Sequence, residues 1–213
     1  MKNKILLLDI DYTIHDNSLF KTLLGIDFQS KFNISKNKTI NIYKLLLNET
    51  GFFKPELFVE RLSKEIGYDH KTEIKKILWQ EKRFRQTLYP DTRLFLKKIQ
   101  DTIDIYIFSK GEKLFQKAKI HPLTNTIKLT KVFIFKNKFK KLNDTVKKFN
   151  GKKIFIIDDS PAIINKMKSI DNKIITIMIK RPKFNKNYDY SKKTLADYVV
   201  KNLISAVKII KSY

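Results

Sequence analysis

The sequence predicts an α/β fold: a Rossmann-like parallel sheet core with helices on both faces of the sheet and an inserted helical cap. Three observations support this prediction. A short apolar run, residues 4–8, stands near the start of the chain and predicts a buried strand. Roughly seventy residues with helical periodicity follow it. From residue 89 onward, short apolar runs alternate with helical segments, which is typical of parallel strands joined by helices.

The inserted segment contains three stretches with apolar residues at helical spacing. Turn residues at 52–55 and 67–70 separate the stretches. The apolar positions are Ile40, Tyr43, Leu46 and Leu47, then Leu57, Phe58, Leu62 and Ile66, then Ile74, Ile77, Leu78 and Phe84. We therefore interpret residues 15–88 as a helical insertion, here called the cap, and residues 1–14 and 89–213 as the α/β core.

The second part of the chain predicts four further strands and five helices. The strands are expected at 103–108, 132–135, 154–157 and 174–179, and the helices at about 91–100, 112–119, 140–149, 161–169 and 194–210. The last helix would present Leu195, Val199, Leu203, Val207 and Ile210 on one face. A basic, polar loop, residues 180–191, precedes that helix.

Composition narrows the class of protein. A chain of 213 residues with 42% hydrophobic residues can bury the core of one large domain or of a core with an insertion. Its lack of cysteine excludes disulfides and thiolate zinc sites. No apolar run is long enough for a membrane span or a signal-peptide core. We expect a globular cytoplasmic protein without a membrane partner, and nothing in the sequence indicates its oligomeric state.

The formal net charge of +24 allows two interpretations. Of the 45 basic residues only five are arginine, and the chain is also rich in Asn and Ile, which suggests a coding bias toward A and T that yields a solvated lysine coat. The other interpretation is attraction to polyanions, including weak non-specific binding of nucleic acid. The densest stretch, residues 131–153, holds nine lysines against one acid, Asp144.

Polar residues follow three of the predicted strands. Asp9 and Asp11 come directly after the first strand, Ser109 follows the 103–108 strand, and Asp158 and Asp159 follow the 154–157 strand. Ligand sites of open α/β sheets lie at the carboxyl ends of the strands. If these strands are neighbours, four carboxylates converge on a small volume, which requires a hard divalent cation and a basic partner.

These residues resemble the motifs of the haloacid dehalogenase-like superfamily of phosphohydrolases, and the resemblance spans residues 4 to about 180. The first motif, Asp-x-Asp-x-Thr after an apolar strand, matches Asp9, Asp11 and Thr13. The second motif matches Ser109, and the fourth, an acidic pair, matches Asp158 and Asp159. The superfamily also places a mobile helical cap between its first and second motifs, where this chain has its insertion.

The resemblance implies a role for each acid. Asp9 would attack phosphorus to form an aspartyl-phosphate, and Asp11 would protonate the leaving group and then activate water. Mg²⁺ would be held by the Asp9 carboxylate, the Asp11 backbone carbonyl and one or both of Asp158 and Asp159. Because the dehalogenases of the family lack the second Asp of the first motif, Asp11 favours phosphoryl chemistry.

The third motif of the superfamily is a lysine that contacts the phosphoryl group and the nucleophile. It should lie just after the 132–135 strand, where Lys138, Lys140 and Lys141 all qualify. The expected length of the following helix, counted back from Gly151, favours Lys138.

The remaining expected contacts to substrate come from Thr13, Ser109, Lys110 and Gly111. Two positions depart from the family pattern: Tyr12 stands where a Gly usually precedes the Thr, and Lys110 stands where an Asn is common. Tyr12 is expected to reshape the turn beside the nucleophile, and Lys110 to add a positive charge to the phosphate site.

Several polar residues have structural interpretations. We expect Asp16 to be structural and Ser160-Pro161 to start a helix, with an N-cap before proline. The histidines, His15 among them, show no ligand spacing and are expected at the surface or in packing.

We therefore predict a magnesium-dependent phosphatase that hydrolyses a small phosphomonoester through an aspartyl-phosphate intermediate. The alternative is a nucleic-acid-binding or scaffold protein on the same fold, with the lysine surface as its working part. A phosphatase acting on nucleic-acid ends would use both features.

Overall fold

The computed structural model describes residues 2–124, 129–181 and 194–213 of the protein. Six strands form one sheet in the order β3-β2-β1-β4-β5-β6, and every neighbouring pair is parallel. The strands are β1 Lys4–Leu8, β2 Asp104–Lys110, β3 Lys131–Phe135, β4 Lys153–Asp158, β5 Ile175–Ile179 and β6 Tyr198–Val200. The helices are α1 Asn17–Phe32, α2 Lys36–Thr50, α3 Pro55–Ile66, α4 Lys71–Leu78, α5 Glu81–Gln86, α6 Thr92–Ile99, α7 Lys113–Thr124, α8 Leu142–Lys148, α9 Pro161–Ile170 and α10 Leu203–Ser212, with 3₁₀ turns at Tyr68–His70 and Phe139–Lys141.

The central strand β1 is buried on both faces of the sheet. Because side chains alternate along a strand, Leu6 and Leu8 face one layer, which contains α6 and α10, whereas Ile5 and Leu7 face the other, which contains α8 and α9. Parallel sheets covered on both faces have near-continuous apolar strands for this reason. The predicted α/β architecture with helices on both faces of a parallel sheet is confirmed.

The segment between β1 and α6 forms helices α1 to α5, and these have an apolar cluster of their own. Phe20, Phe28 and Phe58 are fully buried in this cluster. Ala118 of α7 packs against this cluster, and Phe115 of the same helix is buried within it. Phe115 contacts Phe20, Phe53, Trp79 and Phe84, with ring centroids 4.8–5.7 Å apart.

Helix α1 is not among the predicted helices. Its buried residues Phe20, Leu24 and Phe28 recur every four residues, so they lie on one side of the helix. Asp16 caps it, since its carboxylate accepts hydrogen bonds from the backbone N–H groups of Ser18 and Leu19 at 2.9 Å. The structural interpretation of Asp16 is thus confirmed, and the cap itself was the sequence signal that a helix begins at Asn17.

The predicted last helix, about residues 194–210, is wrong in its first half. Residues 198–200 form β6 at the edge of the sheet, and α10 begins only at Leu203, after Asn202, whose side chain accepts from Ser205 N. Leu195 and Val199 are about half exposed rather than part of a buried helical face. The β-branched pair Val199-Val200 and the N-cap Asn202 explain the outcome, because both favour a strand followed by a new helix. Residues 182–191 of the predicted basic loop lie outside the described residues.

Other predicted elements are found with shifted ends. Strand β2 extends two residues beyond 108 and therefore includes Ser109 and Lys110. Helix α9 begins at Pro161 after the N-cap Ser160, as predicted. No helix in the described part of the chain is long and apolar enough to cross a membrane.

Candidate active site

A cavity of about 1320 Å³ lies at the carboxyl ends of β1, β2 and β4. These three strands are neighbours in the sheet, so the residues that follow them meet at one edge. Helices α1 and α2, the loop after α2, the loop after β3 and the starts of α7 and α9 also contribute to its wall. Every predicted site residue except Thr13 lines the cavity.

Asp9 directly follows β1 and is only 6% exposed. Its backbone N–H donates to the carbonyl of Ile157 at 3.1 Å, so the pairing with β4 fixes its position. Its Oδ1 lies 2.6 Å from Nζ of Lys138. Burial raises the pKa of Asp9 to about 7 against the lowering effect of Lys138, and the neighbouring carboxylates of Asp158 and Asp11 raise it further.

Lys138 is the one of the three candidate lysines that the structure places beside Asp9. It is buried and forms ion pairs with both Asp9 and Asp158. Burial alone would lower its pKa, but the two carboxylates outweigh burial and raise the pKa above its ordinary value, so this lysine stays charged. Lys140 and Lys141 are exposed, and Lys141 pairs with Asp144 instead.

Asp9, Asp158 and Asp159 form a buried group of three carboxylates. Each offers an oxygen, and the three oxygens lie within 4.8 Å of one another. Burial, followed by the charges of Asp158 and Asp9, raises the pKa of Asp159 well above its ordinary value. Three hard oxygen donors that repel one another in a buried position are the donor set that Mg²⁺ prefers, so these residues fit the ion that the sequence predicts.

The Asp11 carboxylate does not belong to this group, which corrects the expectation that four carboxylates converge. Lys119 of α7 binds its Oδ1 at 2.5 Å, and Gln116 Nε2 donates to its Oδ2 at 2.8 Å. Burial raises the pKa of Asp11, but the charge of Lys119 and the hydrogen bonds from Lys119 and Gln116 outweigh burial and hold the pKa below its ordinary value. The two residues differ in their local position: Asp9 directly follows β1, whereas Asp11 lies in the turn after that strand and faces α7.

Gln116 and Lys119 are functional candidates that the sequence did not indicate. Both are 2% exposed and lie on the buried side of α7 with Phe115 and Ile120. A lysine and a glutamine within the apolar stripe of a helix are a sequence signal for a buried polar contact, because such groups are rarely buried without a partner. Their partner, Asp11, comes from more than one hundred residues earlier in the chain and was not visible in the local pattern.

His15 contacts Asn17, which in turn accepts a hydrogen bond from Lys119. It is fully buried, its Nδ1 lies 3.1 Å from Asn17 Oδ1, and its Nε2 lies 2.7 Å from Thr87 Oγ1. Asn17 Oδ1 also accepts from Lys119 Nζ at 3.3 Å. Burial, helped by the nearby Lys119, lowers the pKa of His15 to about 3, so His15 is a neutral packing residue, in accord with its lack of ligand spacing.

Ser109, Lys110 and Gly111 end β2 at the cavity. Ser109 is buried, and its Oγ lies 3.5 Å from Nε2 of Gln116. Gly111 has φ +150°, and a Cβ there would lie 2.8 Å from the Gln116 side chain, so no other residue fits this turn without displacing Gln116. Lys110 is exposed and reaches toward Gly51 in the loop after α2.

Thr13 is fully buried rather than open to the cavity. Its hydroxyl has no hydrogen-bond partner among the described residues, and its carbonyl accepts from the Arg181 guanidinium. Arg181 also binds Asp91 at the start of α6 and stacks on the Tyr89 ring at 3.9 Å. Thr13 is therefore placed to hold the turn after β1, and it does not line the cavity.

Tyr12 adopts a left-handed backbone conformation with φ +57°. A bulky side chain is uncommon there and costs about 1 kcal/mol or more relative to glycine. The requirement for positive φ accounts for the Gly that the resembled motif usually has at this position. In this chain the Tyr12 side chain lines the cavity instead.

Comparisons with solved structures identify the class to which this fold belongs. A protein of Burkholderia xenovorans LB400 described as a haloacid dehalogenase-like hydrolase has a TM-score of 0.78 and 20% sequence identity, covering 98% of this chain and 99% of its own. The HAD-hydrolase YfnB from Bacillus subtilis, bound to magnesium, has a TM-score of 0.64 and 19% identity, with 99% of each chain covered. The L-2-haloacid dehalogenase from Xanthobacter autotrophicus with chloropropionic acid covalently bound has a TM-score of 0.62 and 11% identity, again with 99% of each chain covered.

This chain has the haloacid dehalogenase-like hydrolase fold over nearly its whole length, as the sequence motifs predict. The similar structures include dehalogenases, so the fold by itself does not choose between carbon–halogen and phosphate-ester substrates. Neither models of protein families nor curated proteins match the sequence.

Proposed function

We propose that this protein is a magnesium-dependent phosphomonoesterase that works through an aspartyl-phosphate on Asp9. The observation that carries the proposal is the buried group of Asp9, Asp158 and Asp159, bridged by Lys138 and accompanied by a separate carboxylate, Asp11. A dehalogenation at carbon needs the nucleophile but has no use for a divalent cation site, whereas transfer of a phosphoryl dianion needs positive charge at the reacting oxygens.

Asp9, Asp158 and Asp159 would hold the metal, with the Asp11 backbone carbonyl as a further ligand implied by the resemblance. When bound, Mg²⁺ would supply positive charge against the phosphoryl oxygens and favour the ionised form of Asp9. YfnB, which shares the fold, is described as bound to magnesium.

In the first step Asp9 attacks phosphorus. A bond forms between its carboxylate oxygen and phosphorus, the bond between phosphorus and the leaving-group oxygen breaks, and that oxygen takes a proton from Asp11. Against the effect of burial, Lys119 lowers the pKa of Asp11 and so favours its ionised form. An approaching phosphate dianion raises the pKa of a neighbouring carboxyl, which would allow Asp11 to hold the proton that it donates.

In the second step Asp11 acts as a base. It takes a proton from water as the water oxygen attacks phosphorus, the bond between phosphorus and Asp9 breaks, and inorganic phosphate leaves. Lys138 contributes positive charge throughout, because it stays protonated beside Asp9. Ser109 and Lys110, which end β2 and line the cavity, would donate to the phosphoryl oxygens.

We also propose that residues 15–88 act as the cap of the site. Helices α1 and α2 and the loop after α2 supply the cavity wall opposite the acids. A cap in this position would exclude water from the transfer step and select small substrates.

The test is a substrate panel with two readouts. Purified protein with and without Mg²⁺ is incubated with phosphomonoesters, with free-phosphate release measured, and with L-2-chloropropionate, with chloride release measured. We expect phosphate release that requires Mg²⁺ and is lost on chelation, and no chloride release. Chloride release without phosphate release would instead assign the protein to the dehalogenases of this fold, and phosphate release that survives chelation would contradict the metal site.

A further inference from the structure

The cavity contains more lysines than form ion pairs with its catalytic acids. Six of the residues that line it are lysines. Lys119 and Lys138 are paired with Asp11, Asp9 and Asp158. The other four form no ion pair with a carboxylate of the described residues and are Lys21, Lys44, Lys110 and Lys136. Two of these four, Lys21 on α1 and Lys44 on α2, place positive charge on the wall that these helices form.

Lys21 is the most enclosed of these four lysines. It is half-buried on α1, its Nζ donates to the Tyr12 hydroxyl at 3.3 Å, and it lies 6.0 Å from the ring centroids of both Tyr12 and Tyr43. Burial and the neighbouring ammonium of Lys44 lower the pKa of Lys21, whereas Asp11 raises it. Partial burial of an ammonium group without a carboxylate partner costs free energy, and an anion that binds beside it offsets this cost.

Tyr12 adds a second observation that points to the same place. It keeps a bulky side chain at a positive φ where glycine would be unstrained. Residues held in strained backbone conformations cluster at active sites and ligand-binding sites, where the surrounding structure holds them in place. The Tyr12 side chain extends into the cavity and positions its hydroxyl beside Lys21, so the two groups form a neutral donor and a cationic donor next to each other.

The position of this donor pair determines what it can bind. Tyr12 adjoins Asp11 in the chain, and Asp11 is among the charges that act most strongly on Lys21. In the proposed reaction Asp11 protonates the leaving group, so the pair lies on the leaving-group side. We propose that Tyr12 and Lys21, with Lys44 beside them, bind a second anionic group carried by the leaving group, either a carboxylate or a second phosphate. This proposal rests on the proposed function for the orientation of the substrate.

The test compares matched substrates that differ only in the second anion. One arm uses 3-phosphoglycerate against glycerol 3-phosphate, and the other uses fructose 1,6-bisphosphate against fructose 6-phosphate. We expect one arm to show at least a tenfold preference in kcat/KM for the doubly anionic member, and the arm that does so identifies the group as carboxylate or phosphate. In Lys21→Met that ratio should fall about tenfold, in line with the loss of one charge-assisted hydrogen bond.

Two further variants separate the subsite from general charge effects. Lys31→Met removes the same charge from α1 at an exposed position paired with Glu73 and should keep the wild-type ratio. Tyr12→Phe keeps the ring and removes the hydroxyl, and should lower the ratio without loss of the fold. The proposal is overturned if neither substrate pair shows a preference, or if Lys21→Met and Lys31→Met change the ratio equally.

A binding measurement distinguishes failure of the subsite from failure of the proposed function. In Asp9→Asn, calorimetry measures the affinities for the same substrate pairs without turnover. If the wild-type protein hydrolyses no phosphomonoester, the proposed function fails, yet the subsite still predicts tighter binding of a doubly anionic ligand that Lys21→Met abolishes. Equal affinities within both pairs would refute the subsite alone.

Discussion

At the scale of single residues, the charges of the site form two separate sets. In one set the carboxylates of Asp9, Asp158 and Asp159 lie close together and Lys138 forms ion pairs with Asp9 and Asp158. In the other set Lys119 forms an ion pair with Asp11. The strand ends determine the first set, which is why the sequence could predict it. The second depends on a lysine of α7 that is 108 residues away from Asp11, so no local pattern indicated it.

The raised pKa of Asp9 makes the effect of Mg²⁺ depend on pH. Because the folded-state pKa is raised from 3.8 to about 7, Asp9 stabilises the metal-free fold fully below its ordinary pKa, and this stability is lost as the pH rises through about 7. Mg²⁺ binds the ionised form, so its stabilising effect should grow in the same pH range. We expect Mg²⁺ to raise Tm more at pH 8 than at pH 5, as measured by thermal unfolding.

The control for this measurement is Asp144→Asn, which removes an exposed acid outside the site and should keep the Mg²⁺ shift. Asp159→Asn should lose most of it. Equal Mg²⁺ shifts at the two pH values in the wild-type protein would show that the buried carboxylates are not the ligands.

Lys138 should contribute to stability as well as to turnover. Lys138→Met leaves Asp9 and Asp158 buried without their cation, and breaking a buried ion pair of this kind costs about 3–5 kcal/mol. We expect a loss of stability near that size in metal-free urea unfolding, partly restored by Mg²⁺, together with a loss of activity. Lys140→Met, two residues away and exposed, is the matched control and should change neither quantity appreciably.

At the scale of secondary structure, most of the elements that place the site were predictable. The acids follow short apolar runs that predict buried strands. Helix α9 begins at Pro161 after the N-cap Ser160, which is a common capping pattern. The errors fell where propensity and tertiary context disagreed. Apolar residues at helical spacing across 194–210 also fit a short edge strand followed by a helix, and pairing with β5 decided the outcome.

The N-cap of α1 offers a test at this scale. Asp16 accepts two backbone hydrogen bonds at the helix start, so Asp16→Ala should lower the free energy of unfolding by about 1 kcal/mol. Asp16→Asn retains an accepting oxygen and should lose much less. Urea denaturation of the two variants checks the comparison, and equal losses would mean that the capping hydrogen bonds are not the source of the effect.

At the scale of the whole molecule, the charge and the fold carry different information. The acid motifs predicted the fold, which the solved structures of the class share over nearly the full chain. The net charge of +24 had no such structural consequence, because exposed lysines are compatible with any fold. The dense stretch 131–153 spans β3 to the start of β4 and contributes Lys138 to the site, while most of its other lysines are exposed.

The lysine surface should bind nucleic acid only weakly. We expect duplex and single-stranded DNA to bind without sequence preference and with dissociation constants above about 1 µM at roughly 150 mM salt, the range of non-specific binding. Fluorescence anisotropy across a salt series measures this. Sub-micromolar affinity at that salt concentration would favour the nucleic-acid-binding alternative.

The central claim is that Asp9 becomes phosphorylated during turnover, and trapping the intermediate tests it most directly. The reaction with a substrate from the panel is quenched in the steady state, the acyl phosphate is reduced with borohydride, and the modified residue is located by peptide mass spectrometry. We predict reduction of Asp9 to homoserine in the wild-type protein only when Mg²⁺ and substrate are both present, and no modification or turnover in Asp9→Asn. Turnover at the wild-type rate in Asp9→Asn, or modification at another carboxylate, would contradict the account.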